Sequence, residues 1–491
     1  MEFLEKNILK YRQKITRYKF IIKPTLFLTI IYFIGIIAIL RANVNYIDDI
    51  GRVDTGYGGW RNFSRYISTF LSRFIHADKY LTDVSPLPQL IAILILAVSG
   101  VILLYVISEK KQFSIWQLVI TLPLGLSPYF LECISYKYDS PYMALSILAA
   151  IFPSLFHKKG SIKYFIAIVI SMLVVCTTYQ PASGIFPMLV IMLAMKSWNE
   201  KEDNKTIGRF IFVSIIGYCL SLLIFKIFIM VPANTYVSNE IASIGEIVPV
   251  VISNLKKYFG LIITDFKKIW LVIIALMFCS FIYTVVCNTK RKKYLALPIA
   301  IITLVLMLFC TFGVYISLKN PLYDPRAMYG FGVLLAFLAI YICTSSRKYI
   351  SKILCLLLSW MFFSFSFTYG NALYVQEKYT DYRVALVIED LENLNLLNNE
   401  KNINLQISGT IQLAPNIRNM PQTYNMLNRL IPITFNGDWY WGTYKFFHYY
   451  DLKNIYQNEN LDLETYDLPI LKDTVYHRIR GNDEYVLVEL K

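Results

Sequence analysis

Apolar runs of about 17–25 residues recur along this chain, near 24–42, 89–108, 114–132, 141–156, 162–180, 184–197, 210–231, 269–288, 296–317, 329–344 and 352–371. Runs of that length cross a hydrocarbon core about 30 Å thick as helices. A helix also satisfies its own backbone polar groups there, which an open strand or loop does not. About eleven such runs confine the fold to a polytopic α-helical membrane protein. Composition agrees: 56% of residues are hydrophobic and 16% charged, where soluble domains carry about 25% charged residues. The net charge of +15 is read from its placement and gives no sign of nucleic acid as a partner.

The connections between runs alternate in charge. The N-terminus (Lys6 to Lys23), "EKK" at 109–111, "HKKGSIK" at 157–163, "TKRKK" at 289–293 and "SSRKYISK" at 345–352 are short and basic, and "KSWNEKEDNKTIGR" at 196–209 joins them with mixed charge. Short basic loops stay in the cytoplasm. The expected localisation is therefore the plasma membrane, with the N-terminus inside and everything after about Tyr374 outside. The first apolar run is longer than a signal-peptide core, and no small-residue cleavage site follows "IAILRANV", so it reads as a retained helix.

The inner loops are too short to fold, and no GxxxxGK[ST] or GxGxxG segment follows a strand. The outer side holds a first loop at 43–88, a loop at 232–268, two compact polar loops and a segment of domain size, 373–491. The expected division is a membrane domain, 1–372, and an extracytoplasmic α/β domain, 373–491. Eight cysteines, almost all inside apolar runs, and four histidines support neither a disulfide framework nor a metal cluster. No metal site and no cofactor are expected.

Two outer loops have amphipathic helical spacing. In "GWRNFSRYISTFLSRFI", Trp60, Phe63, Ile67, Phe70 and Phe74 face Arg61, Arg65, Ser68, Ser72 and Arg73 across the helix. In "IVPVVISNLKKYFGLIITDFKKI", Ile247, Val251, Leu255, Tyr258, Ile262 and Phe266 oppose Asn254, Lys257, Thr264, Asp265 and Lys268. Both are expected along the outer leaflet, as loop anchors or as walls of lateral access for a lipid.

Outer polar positions near helix ends collect carboxylates: Asp48, Asp49 and Asp54 in "NYIDDIGRVDTGYGGWRNFSRY", Glu132 and Asp139 in "LECISYKYDSP", and Asp324 in "NPLYDPRAMYG". Arg52, Lys137, Lys319 and Arg326 lie among them. An isolated acid at a membrane boundary is ordinarily a solvated interface charge. Three loops placing acids and bases at one depth suit sugar transfer, where a carboxylate takes a hydroxyl proton and cations hold a departing phosphate. Nucleotide sugars are lacking outside the cell, so the donor is expected to be a polyprenyl phosphate-linked sugar arriving through the bilayer.

"YIDDIGRVDTGYGGW", "LTDVSPLPQLIAI", "SYKYDSP" and "TTYQPA", together with a weaker "DPRAMYGFG", resemble the bacterial serotype-converting glucosyltransferases of the Gtr type II kind. These are GT-C class membrane enzymes that modify cell-surface polysaccharides. The resemblance implies glucose taken from undecaprenyl phosphate, a cell-surface glycan acceptor, no metal requirement, and a catalytic acid matching the pair Asp48 and Asp49. Its functional partners would be a polyprenyl-phosphate glucosyltransferase and a flippase. Neighbouring residues in extended backbone point opposite ways, so one carboxylate faces the acceptor. Asp48 is taken as general base by likeness to other GT-C first loops, with Asp49 holding Arg52 or a sugar hydroxyl. One base-activated attack on the anomeric carbon predicts inversion. Lys137, Arg326 and Arg52, in falling order, are candidates for the phosphate. Asp139, Tyr179, Gln180 and Asp324, from the resembling motifs, and Glu132, from the polar loop "LECISYKYDSP", are candidates for substrate contact.

In the last segment "YTDYRVALVIEDLENLNLL" predicts a helix, and "NINLQISG" and "EYVLVEL" predict strands. The aromatic stretch "FNGDWYWGTYKFFHYYDL" fits either a small core or sugar-stacking rings, with His448 structural. Two other classes stay open. A flippase or transporter should carry mid-membrane charges and repeats; Lys226 is one such charge, with no repeat beside it. A glycan ligase or polymerase would favour large arginine-rich outer loops.

Overall fold

The computed structural model describes residues 2–231, 240–346, 348–397, 402–458 and 461–491, with side chains from Phe20 onward. Residues 232–239 of the second long loop (expected outside), Arg347, and the side chains of the basic N-terminus before Phe20 therefore lie outside the description. Ten helices among the described residues are long and apolar enough to cross a membrane, and eleven if the pair Ile115–Leu126 and Pro128–Ser135, bent by 64°, is one span. The architecture is that of a polytopic helical membrane protein. Its count is distributed differently from the sequence expectation. Ser140–Phe156 is too short to qualify, and Ile247–Asp265 does qualify.

The helix Pro325–Ser345 is central, with 89% of its apolar window buried. It packs closely on the bend before Pro128, where a Cβ added at Gly332 would lie 2.2 Å from Ser127 Oγ. By contrast Asn204–Ile229 buries only 22%, and Ile215, Leu223, Ile227 and Phe228 face outward. Apolar side chains on an outer helix need a hydrocarbon solvent.

The helix α1 (Glu2–Ala42) packs on the last long apolar helix, Tyr349–Asn393, with Ser366 donating to the Gly35 carbonyl and Arg41 to the Asn371 side-chain oxygen. That helix has 45 residues, about 68 Å at 1.5 Å per residue, and runs unbroken past residue 373. Beyond it the described residues form one five-stranded sheet in the order β2 (Ile455–Tyr456), β1 (Ile403–Ser408), β5 (Tyr485–Leu490), β4 (His477–Gly481), β3 (Ile470–Asp473). β1 runs parallel to β2 and to β5, and β3, β4 and β5 form an antiparallel meander. The two segments expected to be strands are β1 and β5, hydrogen-bonded to each other. Val384, Val387 and Leu391 of the long helix pack into the sheet's core, so the strands are seated on a membrane helix. Arg429 adds a second tether: it bonds to Asp265 and to the carbonyl of Tyr323.

Both amphipathic helices differ from expectation. In the first loop the chain forms a 3₁₀ turn, Trp60–Phe63, breaks at Ser64 (φ 61°), and begins a new helix α3 at Tyr66–Ile75. Trp60 is buried against Tyr142. The serine side of α3 packs inward, Ser68 donating to the Thr178 carbonyl at 3.4 Å, while Phe70 and Phe74 are exposed. In Ile247–Asp265 the apolar stripe Tyr258, Ile262 and Phe266 faces the protein. Asn254 and Asp265 join that buried side because each has partners there: Asn254 donates to the carbonyls of Ile316 and Leu318, and Asp265 accepts from Tyr129 and Arg429.

Candidate active site

The first long loop, 43–88, places its two acids through a short helix α2 (Asp48–Thr55), where extended backbone was expected. Successive residues on a helix still diverge, by about 100° at 3.6 residues per turn. Ile47, just ahead, has φ 50°, a conformation costly for a β-branched residue and found where surrounding structure imposes it. Asp48 lines a cavity of about 310 Å³ and makes no hydrogen bond or ion pair among the described residues. Asp49 is fully buried and turned away: it accepts the Lys137 backbone N–H at 2.7 Å and lies 3.5 Å from Arg52. Burial, reinforced by Asp139 and Asp48, pushes its carboxyl up to about 8, against the pull of Arg52.

Arg52 is committed within the protein. It bonds to Asp139, and its guanidinium lies 4.9 Å from the Trp60 ring centre. Trp60 Nε1 donates to the other oxygen of Asp139. Asp139 lines the cavity, but both its oxygens hold the first loop in place.

Lys137 was the leading phosphate candidate, and the structure places it elsewhere. Its ammonium binds Asn45 at 2.9 Å and Asp83 at 3.0 Å, and it lines a separate polar cavity with Asn43, Ser85 and Gln89. Its ion-pair partner is thus Asp83, not the neighbouring Asp139. Tyr136 is extended and a new helix starts at Ser140, which turns Lys137 and Asp139 apart. Burial alone would raise the Asp83 carboxyl; hydrogen bonds from Ser85 and the charge of Lys137 outweigh it and hold it below the usual range.

Arg326, by contrast, lines the Asp48 cavity. Asp324 pairs with it at 3.2 Å, and Glu132 accepts its backbone N–H. Glu132 and Asp324 therefore position Arg326 and do not line the cavity themselves. Tyr179 and Gln180 both line it. The Gln180 amide donates to the Phe63 carbonyl at 2.9 Å, and the buried Tyr179 hydroxyl has no hydrogen-bond partner among the described residues.

Two cations in the cavity wall were not among the candidates for phosphate. Among the described residues Arg65, 4.7 Å from the Tyr179 ring centre, makes no ion pair, and its buried Nε has no hydrogen-bond partner. A continuous helix would have put it on the solvated face; the break at Ser64 turns it inward. Lys226, expected as a buried mid-membrane charge, is instead exposed, in the π-helical turn Phe225–Ile229 that lines the same wall.

The cavity continues as a stripe on two helices. On Asn204–Ile224 and the turn after it, Leu222, Phe225 and Lys226 line it, and one helical turn further in Ser214, Ile215, Tyr218 and Cys219 line a second, almost wholly apolar cavity of about 490 Å³. On the facing helix Ser183 lines the first, while Phe186, Val190, Ala194 and Trp198 line the second. Spacings of three and four residues keep one helix face in both cavities.

The family described as glucosyl transferase GtrII matches residues 37–337 of this chain. The chain belongs to that family. Membership makes it a glycosyltransferase, and the matched range holds every cavity residue from Asp48 to Arg326 while ending before the C-terminal sheet. A protein of Salmonella phage P22, described as an uncharacterized 55.3 kDa protein in the gtrB 5' region, is 25% identical over 422 residues, covering 81% of this chain and 84% of the phage protein. No solved structure matches.

Proposed function

We propose that this GtrII-family enzyme transfers glucose from an undecaprenyl phosphate carrier to a cell-surface glycan at the extracytoplasmic face of the plasma membrane. The observation that carries the reading is the composition of one cavity wall: Asp48, which makes no hydrogen bond or ion pair among the described residues, shares it with Arg65, Lys226 and Arg326. Asp48 takes the acceptor hydroxyl's proton as the oxygen bonds to the anomeric carbon. The bond from that carbon to the phosphate oxygen breaks, its electron pair leaves on polyprenyl phosphate, and the cations stabilise that charge. One displacement inverts the anomeric configuration. No metal has a step in this scheme.

The apolar stripe supports a lipid carrier. A phosphate held by Arg65 and Lys226 would place its prenyl chain along Leu222, Tyr218, Ile215 and Ser214, the direction in which the wall loses its charges. Burying prenyl carbons there gives roughly 0.8 kcal/mol per methylene-sized group removed from water. The donor would come from a polyprenyl-phosphate glucosyltransferase working inside and a flippase carrying it across.

Purified protein in vesicles, given polyprenyl phosphate-linked glucose and envelope polysaccharide, should release polyprenyl phosphate and form a glucosidic bond of inverted configuration. Transfer from a nucleotide sugar with no lipid carrier overturns the reading.

A further inference from the structure

The helix Tyr440–Tyr449 lies outside the range matched by the family, yet it docks on α2, the helix that carries Asp48. Tyr449 donates to the Ile50 carbonyl at 2.6 Å, and Tyr444 donates to Asp54 at 2.8 Å. The Trp441 ring approaches Gly51 so closely that an added Cβ would lie 2.8 Å from it, and a larger residue there would push the indole back.

Docking leaves a run of four rings exposed at its two ends, Tyr440 and His448, with Trp441 and Tyr444 half-buried between them. Tyr440 and Trp441 have centroids 4.9 Å apart, Trp441 and Tyr444 5.3 Å, and Tyr444 and His448 4.0 Å, the last pair stacked. Tyr440 is 64% exposed and the His448 side chain 49%. A ladder buried in a domain core would not show such exposure. Asp54, 3.7 Å from His448 Nδ1, sits at the foot of the ladder.

We infer that this ladder is the acceptor subsite, holding the sugar units next to the one that receives glucose. The inference rests on the transferase reading above and assigns the acceptor's place within it. Sugar rings present apolar C–H faces and hydroxyl edges. Aromatic faces with polar tips match the first with little loss of conformational freedom, and Asp54 and His448 match the second. The carboxylate disfavours an anionic lipid surface, so the occupant is an uncharged stretch of glycan. Position agrees: Asp54 is six residues beyond Asp48, about 9 Å along the helix, which a short oligosaccharide spans. The same contacts hold the C-terminal domain against the loop carrying the base.

The test uses full-length protein in detergent or vesicles and envelope polysaccharide as ligand, with binding read by calorimetry so that no turnover is needed. Tyr440→Ala and His448→Ala, both at exposed positions, should each weaken binding about tenfold, and Tyr382→Ala, an exposed tyrosine on the long helix, should not. Donor KM, measured in parallel, should not follow the loss. Unchanged polysaccharide affinity in Tyr440→Ala and His448→Ala, or no binding by the unmodified protein, overturns the inference. Ladder-dependent binding without any transfer from the lipid-linked donor would instead sink the transferase mechanism and leave the subsite standing.

Discussion

Arg52 and Asp139 form a buried ion pair that fastens the first long loop to the start of the helix Ser140–Ile151. The pair has Trp60 on one side and Asp49 on the other, so removing one member leaves a charge without compensation in a dry site. Arg52→Met or Asp139→Asn alone should destabilise the protein by about 3–5 kcal/mol. The double variant Arg52→Met with Asp139→Leu should recover much of that loss. Denaturant unfolding in detergent, followed by tryptophan fluorescence, measures both.

Asp49 gives the stability a pH signature. Its folded-state value of about 8 lies above the usual carboxylate value of about 4. Between these two the folded chain holds a proton that the unfolded chain has lost, so the contribution is complete below about pH 4 and fades as pH rises through about 8. Asp49→Asn should flatten this part of the stability profile. Unfolding midpoints measured across the range for both proteins give the comparison.

Arg65 stacks on Tyr179 and faces the cavity. Replacing it with Gln should lower kcat/KM for the lipid-linked donor by about 10²–10³. Arg65→Lys should restore little, because an ammonium neither stacks on the ring nor offers a planar fork of donors. Replacing Lys137, held by Asp83 and Asn45, should leave donor KM near the unmodified value.

The apolar stripe can be filled. Ala194→Trp, or Cys219→Trp on the facing helix, should remove the preference for long-chain over short-chain donors while turnover of a short-chain donor persists. Each methylene-sized group denied burial is worth about 0.8 kcal/mol, so the preference should fall by at least tenfold. Kinetics with carriers of graded length read it directly.

How far the sequence alone reaches follows from which interactions are local. Long apolar runs mark spans wherever a helix crosses alone, and the alternation in "NINLQISG" and "EYVLVEL" marks β1 and β5, because both signals are periodic. The divergence of Asp48 and Asp49 was also legible, though through a helix rather than a strand. Arg65 was not: its orientation depends on a break at Ser64 (φ 61°) inside a stretch whose spacing reads as one helix. Nor was the partner of Lys137, since Asp83 is 54 positions away. Asn254 and Asp265 look like a solvated face until the carbonyls of Ile316 and Leu318 and the side chain of Arg429 arrive from distant segments.

The central claim is that Asp48, and not Asp49, accepts the acceptor's proton in transfer from a lipid-linked donor. Vesicle-reconstituted protein, polyprenyl phosphate-linked glucose and envelope polysaccharide allow single-turnover rates to be compared. Asp48→Asn should slow transfer by about 10²–10⁴, with donor binding intact and Asp49→Asn far less affected. Transfer by Asp48→Asn at the unmodified rate would contradict the account.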